Sequence, residues 1–404
     1  MSKKTGLTIT FVLMTAGFAA WVWQFREGLV LTNMGNSYTW GLYVSGLAFL
    51  IGNAAGGLVL TSLIYLFGVD SLKPFAKIGA LTAFVNVSAA MVAIFPEIGQ
   101  PGRIYNMLIH PKFSSPLVWD AAVLNLYAGL SLAYLYILML PDLKGPLQKI
   151  ALKVDNPKEF SAKLARRLAP FSLVAASTSV TAWLFATQGA RQWWHSALLA
   201  PDFVAAATSS GTAVVLLVSL LTYGMKEQYR QAYRTMSVII ATTFFIHLFF
   251  MYNDYFIHAW YGASEAVNTL SIIFREHIWA HAYEVVAPLA GVILLLNAKM
   301  RKSAGMIASC CLLISGIFVH RFLIMPGAFE RIVLTINPMG LQDIEWSVPI
   351  SSGRYDVSLD TFVTDWHYFP SGIEITICLG VAAFACFLII LAIDRLPIVN
   401  RVES

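Results

Sequence analysis

Ten apolar segments, each long enough to cross a lipid bilayer, run through this chain of 404 residues. A bilayer core of roughly 30 Å takes about 20 residues of α-helix. Hydrophobic residues make up 58% of the chain and charged ones only 12%, so little sequence remains for a soluble domain. The sequence therefore predicts an all-α integral membrane protein. We place the segments, called spans 1 to 10, at 7–24, 40–67, 78–96, 116–140, 169–188, 203–224, 236–260, 277–298, 304–325 and 371–393.

The basic residues fall mainly on one side of these spans. Of the 27 lysines and arginines, 19 lie on the side of both chain ends and 8 lie on or near the other side. Because lysine and arginine accumulate in cytoplasmic loops, we predict that both termini are cytoplasmic. The net charge of +5 then reflects topology rather than nucleic-acid binding.

The connection 326–370, on the predicted outer side, is too long for a turn. A loop of this length in a compact membrane protein usually packs against something. We expect it to dock a partner subunit on the outer face; a cap that folds on this chain alone is the alternative. Acidic residues in this connection include Asp343, Glu345, Asp356, Asp360 and Asp365.

Ionisable side chains inside spans 7 and 8 predict a proton pathway. A charge at mid-bilayer costs about 2.5–3.5 kcal/mol on insertion scales, so each buried ionisable group needs a reason. Helical spacing places two sets on one stripe each: His247, Asp254 and His258 in span 7, and His277, His281 and Glu284 in span 8. We expect the two stripes to face each other, with Asp254 and Glu284 as the relay carboxylates.

A third polar stripe lies on span 4. It begins at Asp120 near the outer end and continues inward with hydroxyl groups at helical spacing: Tyr127, Ser131 and Tyr134. The stripe predicts a functional carboxylate with a hydroxyl path beneath it. In the alternative interpretation Asp120 only serves the helix end, where the helix dipole favours a carboxylate, and pairs with Arg103.

Span 2 contains the run Gly52-Asn53-Ala54-Ala55-Gly56-Gly57. Small residues at this spacing let two membrane helices approach closely, so we predict helix packing there. At the outer end of the span, Trp40 and Tyr43 are either aromatic residues of the membrane interface or the walls of a site for a flat ring.

The histidines and cysteines do not predict a redox centre. A transmembrane b-type cytochrome needs paired axial histidines, and no set mirrors the outer-side histidines near the inner face. We therefore expect no haem, with a single haem between spans 7 and 8 as the alternative. The four cysteines lie inside spans without a Cys-x-x-Cys pair, which predicts neither an iron–sulfur cluster nor a metal site: Cys310, Cys311, Cys378 and Cys386.

Two sequence motifs resemble the hallmark of the NrfD/PsrC (polysulfide reductase-like) family of membrane subunits. The run Pro96-Glu97-Ile98-Gly99-Gln100-Pro101-Gly102-Arg103 is similar to the family's Gly-x-Pro-x-Arg turn, and Ser115-Pro116-Leu117-Val118-Trp119-Asp120 is similar to its Ser-Pro-x-x-Trp-Asp helix entry. Trp40-Gly41 resembles the opening of the first core helix, and Pro370-Ser371-Gly372-Ile373-Glu374 the last helix entry of the ten-helix branch. That branch includes HybB, ActC and QrcD, and the weight of the resemblance is towards QrcD of a menaquinone reductase complex.

The resemblance implies one membrane domain, 1–404, built from two four-helix bundles, with one flanking helix at each end. The bundles are expected at 40–188 and 203–325, the flanking helices at 7–24 and 371–393, and partner docking at 326–370. It also implies a quinone site in the first bundle near the outer face. Family members often carry an acidic residue in the opening core helix where this chain has Asn53.

The resemblance assigns Asp120 as a polar quinone contact that exchanges a proton with the ring. Common depth in the membrane, not the motif, places further quinone contacts nearby: Trp40, Tyr43, Arg103 and His110. We expect His110 or Tyr127 to be hydrogen-bonded to the ring as catalytic groups. It implies no haem or iron–sulfur cluster in this chain.

We therefore predict a quinone-binding membrane subunit of a respiratory oxidoreductase complex in a bacterial inner membrane. It exchanges electrons between menaquinone and a periplasmic four-cluster ferredoxin-like iron–sulfur subunit, together with further catalytic or cytochrome subunits, and protons cross through spans 4, 7 and 8. A proton-coupled secondary transporter is the alternative, although such transporters often break two helices at matching positions. Here only Pro288 lies mid-span, in span 8.

Overall fold

The computed structural model describes residues 3–35, 38–177, 180–189, 191, 193–261, 264–332, 364–365 and 367–399. Within these residues, ten helical segments are long and apolar enough to cross a membrane, and each overlaps one predicted span. The prediction of an all-α integral membrane protein is confirmed. The helices are α1 Lys3–Glu27, α2 Leu42–Tyr65, α3 Ala76–Ile94, α4 Tyr105–Ile109, α5 Pro116–Met139, α6 Pro157–Ser177, α7 Val180–Ala186, α8 Leu199–Tyr223, α9 Arg230–Tyr261, α10 Ser264–Ser271, α11 Ile278–Leu296, α12 Ser303–Phe329 and α13 Gly372–Arg395.

Local sequence signals set several helix ends. Pro116 occupies the first position of α5, where a missing N–H costs nothing. Ser371 and Glu374 form a capping box at the start of α13, with Glu374 Oε2 accepting from the Ser371 N–H at 2.8 Å. Gly224 ends α8 with φ of 69°, a backbone angle that favours glycine.

The spans pack into two groups of helices. α2, α3, α5 and α6 contact one another, with α7 against α5, and α8, α9, α11 and α12 form the second set of contacts. The two groups meet mainly where α2 packs on α8 and on α12. The terminal helices α1 and α13 pack against each other, and α13 also contacts α3. The two ends of the chain therefore cover the same side of the first group.

Close approach of α2 and α8 depends on two glycines. A Cβ at Gly56 would lie 2.5 Å from the Ala207 carbonyl oxygen and 2.7 Å from Gly211 Cα. A Cβ at Gly211 would lie 2.7 Å from the Asn53 carbonyl oxygen. These obstacles are backbone atoms, which cannot rotate away, so the small-residue run in span 2 is a helix-packing feature as predicted.

Replacing Gly56 by valine is expected to destabilise the protein by about 1–3 kcal/mol, the usual cost of forcing extra atoms into a packed interface. The same substitution at Gly46 is the control, because a Cβ there meets no atom within 4 Å. Thermal unfolding in detergent measures both. Equal shifts for the two variants would show that the α2–α8 crossing tolerates side chains.

The long connection after span 9 is only partly described. α12 continues to Phe329, and Arg331–Ile332 (β1) pairs antiparallel with Thr364–Asp365 (β2). Asp365 is therefore described, whereas residues 333–363 and 366, which include Asp343, Glu345, Asp356 and Asp360, lie outside the described residues. Partner docking on this segment remains a prediction.

Two glutamates from the family-like motifs meet where α2 and α13 begin. Buried Glu374 accepts hydrogen bonds from the Tyr368 hydroxyl and from the Asn33 N–H, and the Tyr368 hydroxyl oxygen accepts from the Leu42 N–H at 2.9 Å. Burial raises the pKa of nearby Glu97 to about 8, and the charge of Glu374 adds to that shift. The cluster ties the start of the last helix to the first core helix, at the face of the membrane region with few lysines, which we call the lysine-poor face.

Candidate functional site

Asp120 lies buried near the start of α5, facing the boundary between the two helix groups. Its carboxylate is 3% exposed and accepts a hydrogen bond of 2.7 Å from the Thr181 hydroxyl on α7. Arg103 is exposed, and in the described part of the chain it forms no ion pair with Asp120. The alternative in which Asp120 pairs with Arg103 is therefore wrong.

A small enclosed space, which we call the Asp120 cavity, adjoins this carboxylate. Its volume is about 30 Å³, room for about two water molecules. α2, α5, α6, α7 and α8 line it, and α12 contributes Arg321. The cavity therefore lies between the two helix groups rather than inside the first one.

Arg321 presents an unfilled donor beside this cavity. The side chain is 1% exposed, Nη2 donates to the Phe203 carbonyl oxygen at 3.1 Å, and the guanidinium carbon lies 3.5 Å above the Phe203 ring. Nη1 is buried without a hydrogen-bond partner among the described residues. An unpaired buried donor is costly, so this position favours an oxygen acceptor or an ordered water.

A larger lateral groove lies next to the Asp120 cavity. It has a volume of about 530 Å³ and is lined by α7, α8 and α9. Val204 lines both spaces, so they adjoin at this residue. The volume is within the range of about 300–1,000 Å³ found for small-molecule sites.

Only some of the predicted quinone contacts lie near Asp120. Tyr127 lines the cavity. Trp40 stacks on Trp194 with ring centroids 5.5 Å apart and meets the Phe185 ring edge-on, one aromatic layer away from Phe203.

The other predicted contacts lie elsewhere. The Tyr43 hydroxyl donates to Gln24 on α1. His110 and Arg103 are exposed on the connection between α3 and α5, and neither lines the cavity. Common depth in the membrane did not bring these three side chains to Asp120, because depth does not determine which side of a helix a residue occupies.

The hydroxyl stripe of α5 holds helices together. The Tyr127 hydroxyl donates to the Ala175 carbonyl oxygen, Tyr134 donates to that of Ala165 at 2.7 Å, and Ser131 donates to the carbonyl oxygen of Tyr127 itself at 2.6 Å. The first two of these bonds join α5 to α6. The predicted hydroxyl path under Asp120 is therefore not a chain of hydroxyl-to-hydroxyl bonds.

A buried cluster in the second helix group, which we call the acid–histidine network, centres on Asp202. Its Oδ1 lies 2.5 Å from His247 Nδ1 and its Oδ2 lies 3.1 Å from His320 Nε2. His320 Nδ1 lies 3.0 Å from Glu284 Oε2, and Glu284 Oε1 lies 2.6 Å from His281 Nδ1. α8, α9, α11 and α12 each contribute, and every member is at most 5% exposed.

The position of His320 between two carboxylates has a chemical consequence. A carboxylate only accepts hydrogen bonds, so both nitrogens of His320 must donate if Asp202 and Glu284 are ionised. That is the imidazolium form, and moving its proton to either carboxylate leaves a neutral pair. The geometry therefore allows one proton to be shared among His320, Asp202 and Glu284.

Asp254 and His258 lie next to this network but are not hydrogen-bonded to it. The Ser196 hydroxyl donates to Asp254 Oδ1, and His258 Nδ1 lies 2.8 Å from the Asp254 carbonyl oxygen. A second cavity of about 30 Å³ is lined by Asp254, Asp202 and His320. The prediction that the Asp254 and Glu284 stripes face each other needs correction, because Asp202 and His320 lie between them and the second cavity offers room for bridging water.

His277 belongs to a separate pair. Its Nε2 lies 2.8 Å from Glu330 Oε2. His277 therefore does not continue the stripe of His281 and Glu284, because it lies before α11 begins.

Sequence reasoning missed Thr181, Asp202, His320 and Arg321. Asp202 lies one residue before the predicted start of span 6, and His320 with Arg321 lies inside span 9. Both ionisable residues of span 9 were visible signals, since a charge inside a span is expensive. Their partners come from other helices, which no spacing pattern within one span identifies.

Asp202, His247 and His320 also have the geometry of a metal site, since each offers a ligand atom within 4.8 Å of the others. The guanidinium of Arg321 next to Asp202 opposes a divalent cation at this place. The direct hydrogen bonds among the three residues fit proton sharing better.

One family model and several known proteins match this chain. The family model described as polysulphide reductase, NrfD matches residues 30–332. A protein of Halobacterium salinarum described as a putative membrane subunit of dimethyl sulfoxide reductase is 28% identical, over 97% of this chain and 91% of that protein. A selenate reductase subunit of Mesobacillus selenatarsenatis is 22% identical, over 64% of this chain and 66% of its own length. An Hdr-like menaquinol oxidoreductase integral membrane subunit of Archaeoglobus fulgidus is 26% identical, over 52% and 49%.

Proposed function

Since this chain belongs to the polysulphide reductase NrfD family, we propose that it is the quinone-reactive membrane subunit of a respiratory oxidoreductase complex. Similar proteins carry the names of subunits of reductase complexes, and one is named as a menaquinol oxidoreductase subunit. We propose menaquinone and menaquinol as the substrate pair. Electrons pass between the quinone and an iron–sulfur partner subunit docked on the periplasmic, lysine-poor face.

One observation carries the choice of site: a buried carboxylate and a buried guanidinium with an unfilled donor line the same cavity. A quinone ring carries two carbonyl oxygens, and oxidation of the quinol releases two protons with its two electrons. Arg321 Nη1 is suited to donate to one ring oxygen. Asp120 is suited to take the two quinol protons one after the other, passing on the first before it takes the second, and to return them in the reverse direction.

The Asp120 cavity itself is too small for a ring, so the ring occupies the adjoining groove between α7, α8 and α9. This groove opens laterally, which matches a substrate that arrives through the lipid. A ring oxygen reaching past Val204 then replaces cavity water at Asp120 and Arg321. The water is released because the ring oxygen makes the same hydrogen bonds.

The acid–histidine network provides a destination for the protons. Phe203 and Arg321 line the Asp120 cavity, and their chain neighbours Asp202 and His320 are network members. A change of charge in the cavity therefore acts on residues that are adjacent in the chain to members of the network. We propose that protons released at Asp120 are passed through the network and the second cavity, and that this transfer conserves energy across the membrane.

Arg321→Met tests the proposed ring site. The methionine keeps an unbranched, buried side chain but removes the donor, so we expect the quinol KM to rise and bound menaquinone to fall by about tenfold or more, since a hydrogen bond from a charged donor contributes about 1.5–3 kcal/mol. Turnover with a menaquinol analogue and solvent extraction of the purified complex measure the two quantities.

Arg103→Met is the matched control, because Arg103 is exposed and outside the cavity. It is expected to behave as the wild type. Unchanged quinone content in the Arg321 variant, or an equal loss in both variants, would contradict the assignment of the site.

We also expect the purified chain to show no haem absorbance. Its buried histidines are hydrogen-bonded to carboxylates, as His281 is to Glu284 and His247 is to Asp202, and half-buried His277 pairs with Glu330. A dithionite-reduced spectrum measures this. A b-type spectrum that disappears in His277→Ala or His281→Ala would favour the cytochrome alternative.

A further inference from the structure

A second large recess lies on the far side of α2 from Asp120; we call it the α2–α13 groove. Its volume is about 560 Å³, and it is bounded by α2, α11, α12, α13 and residues 368–370. α2 contributes Leu42, Gly46, Phe49 and Leu50 here, but Ala48, Ile51, Gly52 and Ala55 to the Asp120 cavity. At 3.6 residues per turn these two sets occupy opposite faces of the helix, so the two spaces are separate.

The lining of the groove selects for an uncharged occupant. No lysine or arginine is among the lining residues, so nothing there matches the phosphate of a phospholipid headgroup. Aromatic rings make up much of the wall: Phe49, Phe318, Phe322, Tyr368 and Phe369. Such walls suit a flat ring followed by an unsaturated hydrocarbon tail.

One polar side chain lies at the end of the groove on the lysine-poor face. His277 lines the groove, and its Nε2 is fixed by Glu330, whose other oxygen accepts from the Tyr368 N–H at 3.2 Å. His277 Nδ1 has no hydrogen-bond partner among the described residues. With Nε2 donating to the carboxylate, Nδ1 accepts from a hydroxyl when the ring is neutral and donates to a carbonyl when it is protonated.

This side chain therefore matches either state of a quinone head group. A quinol offers a hydroxyl hydrogen, and a quinone offers a carbonyl oxygen. The charge of a protonated His277 is balanced by Glu330, so the pair does not attract a separate anion. From Leu42 to Leu50 the groove follows about 12 Å of α2, the length of the first isoprenoid units of a tail.

We propose that the α2–α13 groove is a second binding site for an isoprenoid quinone, with the ring at His277 and the tail along α2 and α13. This inference rests on one part of the proposed function, namely that the membrane around the complex contains such a quinone. It does not require the Asp120 cavity to be the reactive site. The groove holds a bound molecule in addition to the one that reacts at Asp120.

Photo-crosslinking tests the groove. The probe is a menaquinone analogue with a diazirine on its ring, added to the whole complex in phosphatidylcholine nanodiscs, with labelled peptides identified by mass spectrometry. We expect labels on peptides that contain Phe318–Phe322 and Tyr368–Pro370. An excess of unlabelled menaquinone should remove these labels, whereas phosphatidylglycerol should not.

Gly46→Phe fills the groove, because a Cβ at Gly46 meets no atom within 4 Å. We expect labelling of the groove peptides to fall at least about fivefold, since a ring cannot share that volume with a phenyl group. Gly129→Phe is the matched control: this glycine of α5 is exposed and its added Cβ also meets nothing. His277→Ala provides a second variant that creates space instead of filling it, and it should weaken labelling without affecting assembly.

The outcomes separate this inference from the proposed function. Groove labels that persist in Asp120→Asn support a second site whether or not that variant still oxidises quinol. Labels displaced by phosphatidylglycerol but not by menaquinone would show a lipid site and overturn the proposal. Labels that Gly46→Phe and Gly129→Phe reduce equally, or not at all, would overturn it too.

Discussion

Asp120→Asn is expected to lower quinol-dependent turnover by about 10²–10⁴-fold, the range that a positioned acid or base supplies. Asparagine has the shape of aspartate and still accepts a hydrogen bond from Thr181, so the local packing should remain. It cannot take a proton from the ring. Steady-state oxidation of a menaquinol analogue by the purified complex measures the loss, and gel filtration checks assembly.

The control for this variant lies on the same helix. Asn125 is exposed, and its side-chain amide donates to the Ala121 carbonyl oxygen, away from the cavity. Asn125→Ala should keep wild-type kinetics. Wild-type kinetics in Asp120→Asn as well would remove Asp120 from the reactive site and leave the groove beyond Val204 without its proposed acid.

Glu284→Gln is expected to keep quinol oxidation but abolish charge movement across the membrane. Glu284 lies between His281 and His320, so it is the carboxylate through which those two histidines exchange a proton. Glutamine occupies the same volume without an ionisable group, and neighbouring hydroxyls cannot replace it. A membrane-potential dye in vesicles that contain the complex measures the effect during turnover.

Asp254→Asn should also keep quinol oxidation and lose charge movement across the membrane, because Asp254 lines the second cavity together with Asp202 and His320. Tyr283→Phe is the control: Tyr283 precedes Glu284, is exposed and bonds only to Ser315 among the described residues. If both carboxylate variants generate the wild-type potential, the network is a structural cluster and does not carry protons.

The membrane architecture was largely predictable from the sequence. A lipid core leaves the backbone no partner except itself, so ten long apolar runs had to become ten helices. One side of the close contact between Gly56 and Gly211 was also predictable, because Gly56 belongs to the small-residue run of span 2. The partner Gly211 was not visible, because nothing within span 2 specifies which helix it meets.

The candidate site was predictable only one residue at a time. Asp120, His247 and Glu284 were identified because an ionisable group inside a span is costly. Placing Arg103 and His110 beside Asp120 was wrong, since equal depth says nothing about the direction in which a side chain points. Arg321 was recognisable only as a charge inside span 9, and nothing in the sequence indicated which cavity it reaches.

The sequence by itself determined which residues enter the membrane, in what order, and which of them carry an energetic cost there. Only the tertiary structure decided that Asp202 and His320 complete a network with Glu284, and that Arg321 reaches from the second helix group to the cavity beside Asp120. The physical reason is that burial cost is a property of each residue and its depth. That cost is offset by hydrogen bonds to residues of other helices, and the rotation and packing of the helices determine which residues these are.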